Sequence, residues 1–335
     1  MRGLGIRTMK AIGLTIIPIK EDTMITISLD IGGARLKSAL VENGLVRESA
    51  IVPMDSSNGL LASLPILEAE VLRLSSIQMP AMLGIAFPGL VNPVEKTVAS
   101  ANGKYTDAVG FAFEEWAMQT FGLPLIMEND ANAALLGELA YGCAKNCDNA
   151  VMAILGTGIG TAAMIEGKLL RGKHFQAGCL GGHFAIRSLS EGRDCTCGSR
   201  GCAEAYGSSW ALTQLAKESP DFATSGLAKA ASINFRSLAK WDAQNDELAI
   251  RIMNQCIDAW SACAVNLVHA YDPDLLILSG GVIHCGARIT EPIRKAVAKY
   301  AWTPWGTVGV LIAKKPEHSV LLGLHKLCVS ETEGE

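Results

Sequence analysis

From Thr26 onward the chain alternates. Ile27, Leu29 and Ile31 stand between small or polar residues, which predicts a strand with one buried face. Gly32-Gly33 follows as a turn, 36–41 predicts the returning strand, and Asn43-Gly44 is a hairpin signal ahead of Leu45-Val46. The same layout recurs about one domain's length later. There 151–155 predicts a strand, Gly156-Thr157-Gly158-Ile159-Gly160 a glycine turn and 161–165 the return, with Glu166-Gly167 turning into 168–170. The chain reads as two copies of one strand–glycine turn–strand–hairpin unit.

Helical patterns cover 59–75, 111–121, 132–143, 209–218 and 247–271, while 81–87, 123–127 and 274–278 read as short buried strands. Strands alternating with helices predict an α/β architecture in both halves. No linker or low-complexity stretch separates them, so two closely packed domains with a cleft between them are expected. The boundaries fall at 25–130, completed by a C-terminal helix over 317–330, and at 131–316. The stretch before Met24 has no clear periodicity, Met24 reads as an alternative start, and 1–24 receives no role.

Composition narrows the classes. At 335 residues, 49% hydrophobic and 19% charged, the chain is globular and long enough for two cores. A net charge of −4 and a pI near 5.9 disfavour a nucleic-acid surface. No uninterrupted apolar run reaches membrane-spanning length. The short apolar run at 11–19 contains Pro18 and lacks a small-residue cleavage site, so it does not read as a secretory leader. A cytoplasmic protein without membrane partners is expected, and there thiols favour metal over disulfides.

Of ten cysteines, Cys256, Cys263 and Cys328 sit amid apolar neighbours and read as buried side chains. His183, Cys195, Cys197 and Cys202 differ. Their spacing supplies three thiolates and one imidazole, a closed tetrahedral shell for structural zinc, with Gly198 and Gly201 where the backbone must bend.

Glycine turns leave backbone N–H groups free and admit a ligand without a Cβ in the way. Gly32, Gly33, Gly156, Thr157, Gly158 and Gly160, joined by Gly280 and Gly281 at the end of a parallel strand, are candidates for holding a polyphosphate. Neither a Gly-x4-Gly-Lys-Ser/Thr loop nor a Gly-x-Gly-x-x-Gly opening a helix after the first strand is present. Asp30, ending the first strand, is placed to hold Mg²⁺ through water. Asp130 reads either as a helix N-cap or as a base taking a proton from a hydroxyl that attacks a phosphoryl group. Asn102 and Asn129 are suited to vicinal hydroxyls.

In chain order, Asp30-Ile-Gly-Gly, Glu128-Asn-Asp-Ala-Asn, Leu155-Gly-Thr-Gly-Ile-Gly, the segment from His183 to Glu204, and Ser279-Gly-Gly resemble the ROK family (repressor, open reading frame, kinase) over about residues 25 to 328. The resemblance implies a two-domain actin-like ATPase (ribonuclease H-like) fold closing over sugar and ATP, with phosphorylation of a hexose, usually at the 6-hydroxyl. It makes Asp130 the general base. It places Asn102 with Gly103, Asn129, His183 and Glu204 at the sugar, and it implies a homodimer. The family's repressor branch carries a DNA-binding module ahead of the sugar domain, and too few residues precede Thr26 for one. A catalytically silent sugar-binding or regulatory protein is the alternative.

Three departures stand out. Ala34 replaces the family's usual Thr, removing about one hydrogen bond, roughly 1 kcal/mol. Before His183 the usual Ala-Gly-Glu-x-Gly-His becomes Ala177-Gly-Cys-Leu-Gly-Gly-His183, with Cys179 in the Glu place and one added residue. Losing that carboxylate makes hexose a safer expectation than glucose. The segment before Met24 is the third.

Overall fold

The computed structural model describes residues 24–101 and 104–333, so the expectations for the segment ahead of Met24 lie outside the described residues. The alternating stretch forms β1 (Ile25–Ile31), and the Gly32-Gly33 turn returns it as β2 (Arg35–Glu42). Asn43 and Gly44 take φ of 51° and 72°, the type I′ geometry that matches strand twist, and lead into β3 (Leu45–Pro53). Helix α1 (Gly59–Ile77) precedes β4 (Met82–Phe87), a strand buried throughout and parallel to β1. A small ribbon of β5 (Leu90–Asn92) and β6 (Thr97–Ser100), then helix α2 (Phe113–Phe121), lead to β7 (Leu125–Asn129). The first sheet runs β3-β2-β1-β4-β7.

Helix α3 (Asp130–Ala140) begins two residues before the predicted start of 132, because the Asn129 side chain caps it by accepting from the N–H groups of Ala131 and Asn132. The second unit follows as β8 (Ala150–Leu155), β9 (Ile159–Ile165) and β10 (Lys168–Leu169), turning at Glu166-Gly167 with φ of 49° and 71°. Helices α4 (Glu204–Gly207), α5 (Ser209–Lys217), α6 (Phe235–Asp242) and α7 (Glu247–Tyr271) come next. Then β11 (Leu275–Ser279), α8 (Ala287–Tyr300), β12 (Gly309–Ile312) and α9 (Pro316–Glu333) complete the chain. The second sheet runs β10-β9-β8-β11-β12. In both sheets the two outer pairings on the hairpin side are antiparallel and the other two are parallel. The duplication read from the glycine turns is thus a duplication of topology.

Each sheet has its own apolar core, one around Leu29, Leu67, Val71 and Phe87, the other around Val151, Trp260, Leu267 and Leu278. A third cluster, rich in alanine, joins them: Ala86 of β4, Ala131 and Ala134 of α3, Met152 of β8 and Leu324 of α9. Helices α3 and α9 meet there at glycines. A Cβ at Gly323 would stand 1.7 Å from the Ala133 carbonyl oxygen, and one at Gly137 would stand 1.9 Å from that of Ser319. The C-terminal helix therefore packs on the junction, in contact with β1 and β4 as well as α3. Among the described residues no helix is long and apolar enough to cross a membrane.

His325 fastens α9 to the first hairpin. Its Nε2 accepts from the Gly44 N–H at 3.0 Å, so the proton lies on Nδ1, which donates to Thr26 Oγ1 at 2.8 Å. Burial pulls its pKa down from 6.5 to about 4. The neutral form is the folded form, so its contribution is complete above pH 6.5 and is lost as pH falls toward 4. Unfolding free energies from denaturant titrations across that window should fall by up to about 1.4 kcal/mol per pH unit. The His325→Gln variant should show a shallower slope. Equal slopes for the two proteins would remove this role.

Candidate functional site

The two glycine turns face one cleft of about 670 Å³ between the sheets. Asp30, Gly32, Gly33, Asn129, Asp130, Gly156, Thr157, Gly158, Gly160, His183 and Glu204, all singled out from sequence, line it together. At the first turn, Gly32 N–H closes onto the Arg35 carbonyl at 3.0 Å, and a Cβ on Gly32 would crowd that oxygen at 2.8 Å. Tyr105 O–H pins the Gly32 carbonyl at 2.7 Å. At the second turn, Gly156 N–H bonds the Gly158 carbonyl at 3.0 Å, and Ser209 fixes the Gly156 carbonyl through N–H and Oγ, each at 3.0 Å. A side chain on Gly156 would meet nothing within 4 Å, so this backbone lies open to a ligand.

Gly280, with φ of 92°, packs closely, since a Cβ there would stand 2.3 Å from the Leu155 carbonyl oxygen just before the second turn, whereas one on Gly281 would meet nothing within 4 Å. One expectation is corrected. Asp130 is not the N-cap. That role belongs to Asn129, and Asp130 is the first residue of α3. Asn102 and Gly103 lie outside the described residues.

Asn129 spends its whole hydrogen-bonding capacity on protein groups. Its Oδ1 accepts from Ala131 and Asn132, while Nδ2 donates to the Gly89 carbonyl at 2.9 Å and to Asp130 Oδ1 at 3.1 Å. Asp130 Oδ1 also accepts from the Ala131 N–H at 2.9 Å. The carboxylate is thereby oriented, with one edge reaching the cleft. Protein surrounds it elsewhere, and this desolvation, aided by the negative charge of Asp30, raises its pKa to about 6. The Ala131 N–H, Lys104 and Lys37 pull the other way.

Beneath lies Glu128, 1% exposed. Its Oε1 accepts from the Asn129 N–H at 2.9 Å and from Asn132 Nδ2 at 3.0 Å; its Oε2 accepts from Arg171 Nε and Nη2 at 3.0 and 2.6 Å. Arg171 follows β10, so this pair spans the two sheets' territories.

Glu204 ties the second turn to the cysteine segment. Its Oε2 accepts from the Ile159 N–H at 2.8 Å and its Oε1 from Trp210 Nε1 at 3.1 Å. In the segment before it, His183, Cys195, Cys197 and Cys202 place their ligand atoms within 4.8 Å of one another. His183 Nδ1 and Cys195 Sγ are 3.5 Å apart, and Cys197 Sγ and Cys202 Sγ are 3.7 Å apart. A tetrahedron with zinc–ligand bonds of ordinary length has edges of about 3.6 and 3.8 Å for these pairs. The cluster is compatible with zinc. Gly198 and Gly201, with φ of 86° and 75°, make the bend.

Sequence reasoning missed the cleft's cations, Arg35, Lys37 and Lys104. Lys37 had a signal: the strand pairing across the Gly32-Gly33 turn sets it opposite Asp30, and its Nζ lies 2.7 Å from Asp30 Oδ2. Lys104 had none. Cys179 also lines the cleft; burial raises its thiol to about 11, so it stands neutral and donates to the Gln176 carbonyl at 3.3 Å.

A repeated five-stranded unit whose glycine turns confront each other across a cleft defines the actin-like ATPase fold. The chain belongs to the ROK family, which it matches over residues 26–331. It is 28% identical over 304 residues to the glucokinase of Thermotoga maritima, covering 89% of this chain and 95% of that enzyme. Against the glucokinase of Streptomyces coelicolor it is 30% identical over 293 residues, covering 84% and 90%. The crystal structure of a ROK family glucokinase from Streptomyces griseus in complex with glucose and AMPPNP superposes with a TM-score of 0.77 at 29% identity, covering 90% of this chain and 98% of that one.

The carboxyl carbon resonance of Asp130 should titrate near pH 6, well above an ordinary aspartate. Asp30→Asn should lower that midpoint, since a repelling charge is gone. A midpoint at the usual aspartate value in the unaltered protein would contradict the burial and charge argument.

Proposed function

We propose that this protein is an ATP-dependent hexose kinase that transfers the γ-phosphoryl group to a sugar hydroxyl, the 6-hydroxyl by family resemblance. The observation that carries the reading is Asp130: an oriented carboxylate between two glycine turns, with a pKa raised to about 6. Such a group is ionised at neutral pH yet basic enough to accept the hydroxyl proton as the oxygen attacks phosphorus. Asn129 acts as the residue that positions it. Glu204 and His183 line the cleft toward the sugar, and the turn amides not already bonded to protein oxygens face the phosphates. Asp30, an oxygen donor beside the first turn, suits Mg²⁺ through water, and the ion would offset phosphate charge.

His183, Cys195, Cys197 and Cys202 would hold zinc as a closed, structural shell that fixes the His183 and Glu204 wall. All ten cysteines are free, which fits a cytoplasmic setting. A homodimer is proposed with it, and the exposed Tyr300, Trp302 and Trp305 offer the kind of surface such contacts bury.

The choice of hexose turns on Cys179 and Leu180. A neutral thiol and an apolar side chain line the cleft where a carboxylate would accept two hydroxyls, so a sugar with a substituted anomeric or neighbouring position is favoured over free glucose. A second reading, binding without turnover, rests on Ala34 and Cys179 alone.

Coupled ADP release with MgATP over hexoses, N-acetylhexosamines and β-glucosides should single out one sugar. Asp130→Asn should cut kcat by about 10²- to 10⁴-fold and leave sugar affinity within about threefold. Turnover surviving that change would exclude Asp130 as the base. The purified protein should carry about one zinc per chain, and Cys197→Ser should lose it together with melting temperature and sugar affinity. A zinc-free, folded variant with undiminished sugar affinity would detach the metal from the site.

A further inference from the structure

We infer that Lys104 is a further catalytic residue, a cation that meets the phosphoryl group from the sugar's side of the cleft and keeps hold of it once it is on the sugar. The inference rests on the kinase reading above and adds that the sugar phosphate product binds without nucleotide.

Placement comes first. Lys104 follows directly on Asn102-Gly103, the pair that the family resemblance assigns to the sugar. Its half-buried side chain lines the cleft and lies across the first glycine turn, where a Cβ on Gly33 would stand 3.5 Å from its Cε and 3.6 Å from its Cδ. The residues after it fasten this stretch. Tyr105, 1% exposed, donates to the Gly32 carbonyl at 2.7 Å, and the Asp107 carboxylate accepts from the Leu60 and Leu61 N–H groups at 2.7 and 2.9 Å. Tyr105 takes φ of 45° and ψ of 51°, a left-handed conformation that a bulky residue adopts only at a cost. The fold accepts that cost at the residue that sets where Lys104 stands.

The charge is uncommitted. Among the described residues no carboxylate pairs with Lys104, whereas Lys37 is held by Asp30 at 2.7 Å. Lys104 nevertheless acts on Asp130 more strongly than Lys37 does, which sets its ammonium near the base. The second turn has no such cover, since a Cβ on Gly156 would meet nothing within 4 Å. A cation held half-buried and unpaired beside one turn only is disfavoured unless an anion comes to it there.

Transfer supplies that anion. A phosphate ester then stands beside Asp30, Glu204 and Asp130, and once the proton on Asp130 is lost all three repel it. Lys37 already serves Asp30, and Arg35, also in the cleft, is exposed at the start of β2. Lys104 is the cation at hand.

In the step, the sugar hydroxyl gives its proton to Asp130 and its oxygen forms the new bond to the γ-phosphorus. The bond from that phosphorus to the oxygen bridging to ADP breaks, and ADP leaves with the electron pair. Lys104 makes and breaks no covalent bond. Its N–H groups donate to the non-bridging oxygens in transit and to the same oxygens on the ester.

The test titrates glucose and glucose 6-phosphate, in the absence of nucleotide, into the unaltered protein, Lys104→Met, which keeps length and removes charge, and Lys104→Arg, which keeps charge. The sugar singled out by ADP release and its enzymatic phosphate ester are titrated alongside, and turnover and melting temperature are measured on the same proteins. The unaltered protein should bind the ester at least about tenfold more tightly than the sugar, the size of one hydrogen bond to a charged group. Lys104→Met should reduce that preference to about twofold or less and kcat by about 10- to 100-fold, with sugar affinity within about twofold. Lys104→Arg should keep the preference within about threefold of its original size. No preference for the ester in the unaltered protein, or one undiminished in Lys104→Met, overturns the inference. So does a loss that comes with lower sugar affinity and melting temperature and is no smaller in Lys104→Arg, which marks a structural lysine. If the unaltered protein turns over no sugar, the kinase reading fails by itself, and the glucose 6-phosphate titrations still decide whether Lys104 seats a phosphate.

Discussion

A buried carboxylate holds the functional geometry together. Glu128 accepts bonds from the Asn129 backbone, the Asn132 side chain and the Arg171 guanidinium, and so fixes where β7 ends, where α3 begins and how the loop after β10 approaches them. Asn129 can then cap α3 and aim Asp130 in the same gesture. Removing one partner from such a pair leaves a desolvated charge and costs about 3–5 kcal/mol, far more than an exposed bridge contributes. The proposed base, the residue that orients it and the apposition of the two halves all depend on one buried side chain.

The internal duplication separates what the fold requires from what the chemistry requires. Both copies share sheet order, positive-φ hairpin turns and a returning glycine loop. They differ in what they present to the cleft: ionic groups from Asp30 and Lys37 in the first, bare backbone at Gly156 and Gly160 in the second. One half is suited to charge and the other to close approach.

Much of this was legible in the chain. Glycine turns and alternation carry their meaning locally, so β1, β2, β8 and β9 are readable from a few residues each. The His183, Cys195, Cys197 and Cys202 spacing is chemically restrictive enough to assemble as read. Other features depend on partners distant in sequence. Arg171 gives no sign of reaching Glu128, Lys104 sits in an irregular loop, and the four bonds of the Asn129 side chain to protein groups are invisible in the sequence. Gly280 illustrates the limit in the other direction. A glycine after a parallel strand reads equally as a phosphate turn or as room for a neighbouring backbone, and only the structure shows that Gly280 makes room for Leu155 while Gly281 lies open. Pro292 inside α8 and the brevity of β5, β6 and β12 hid those elements from periodicity.

Glu204 has a mechanical consequence. It lies two residues beyond Cys202, yet its carboxylate grips the Ile159 amide of the second glycine turn and a Trp210 indole. The cysteine segment and that turn are therefore one plate rather than two parts that could slide past each other. Any narrowing of the cleft must come from the facing wall moving toward this plate as a unit.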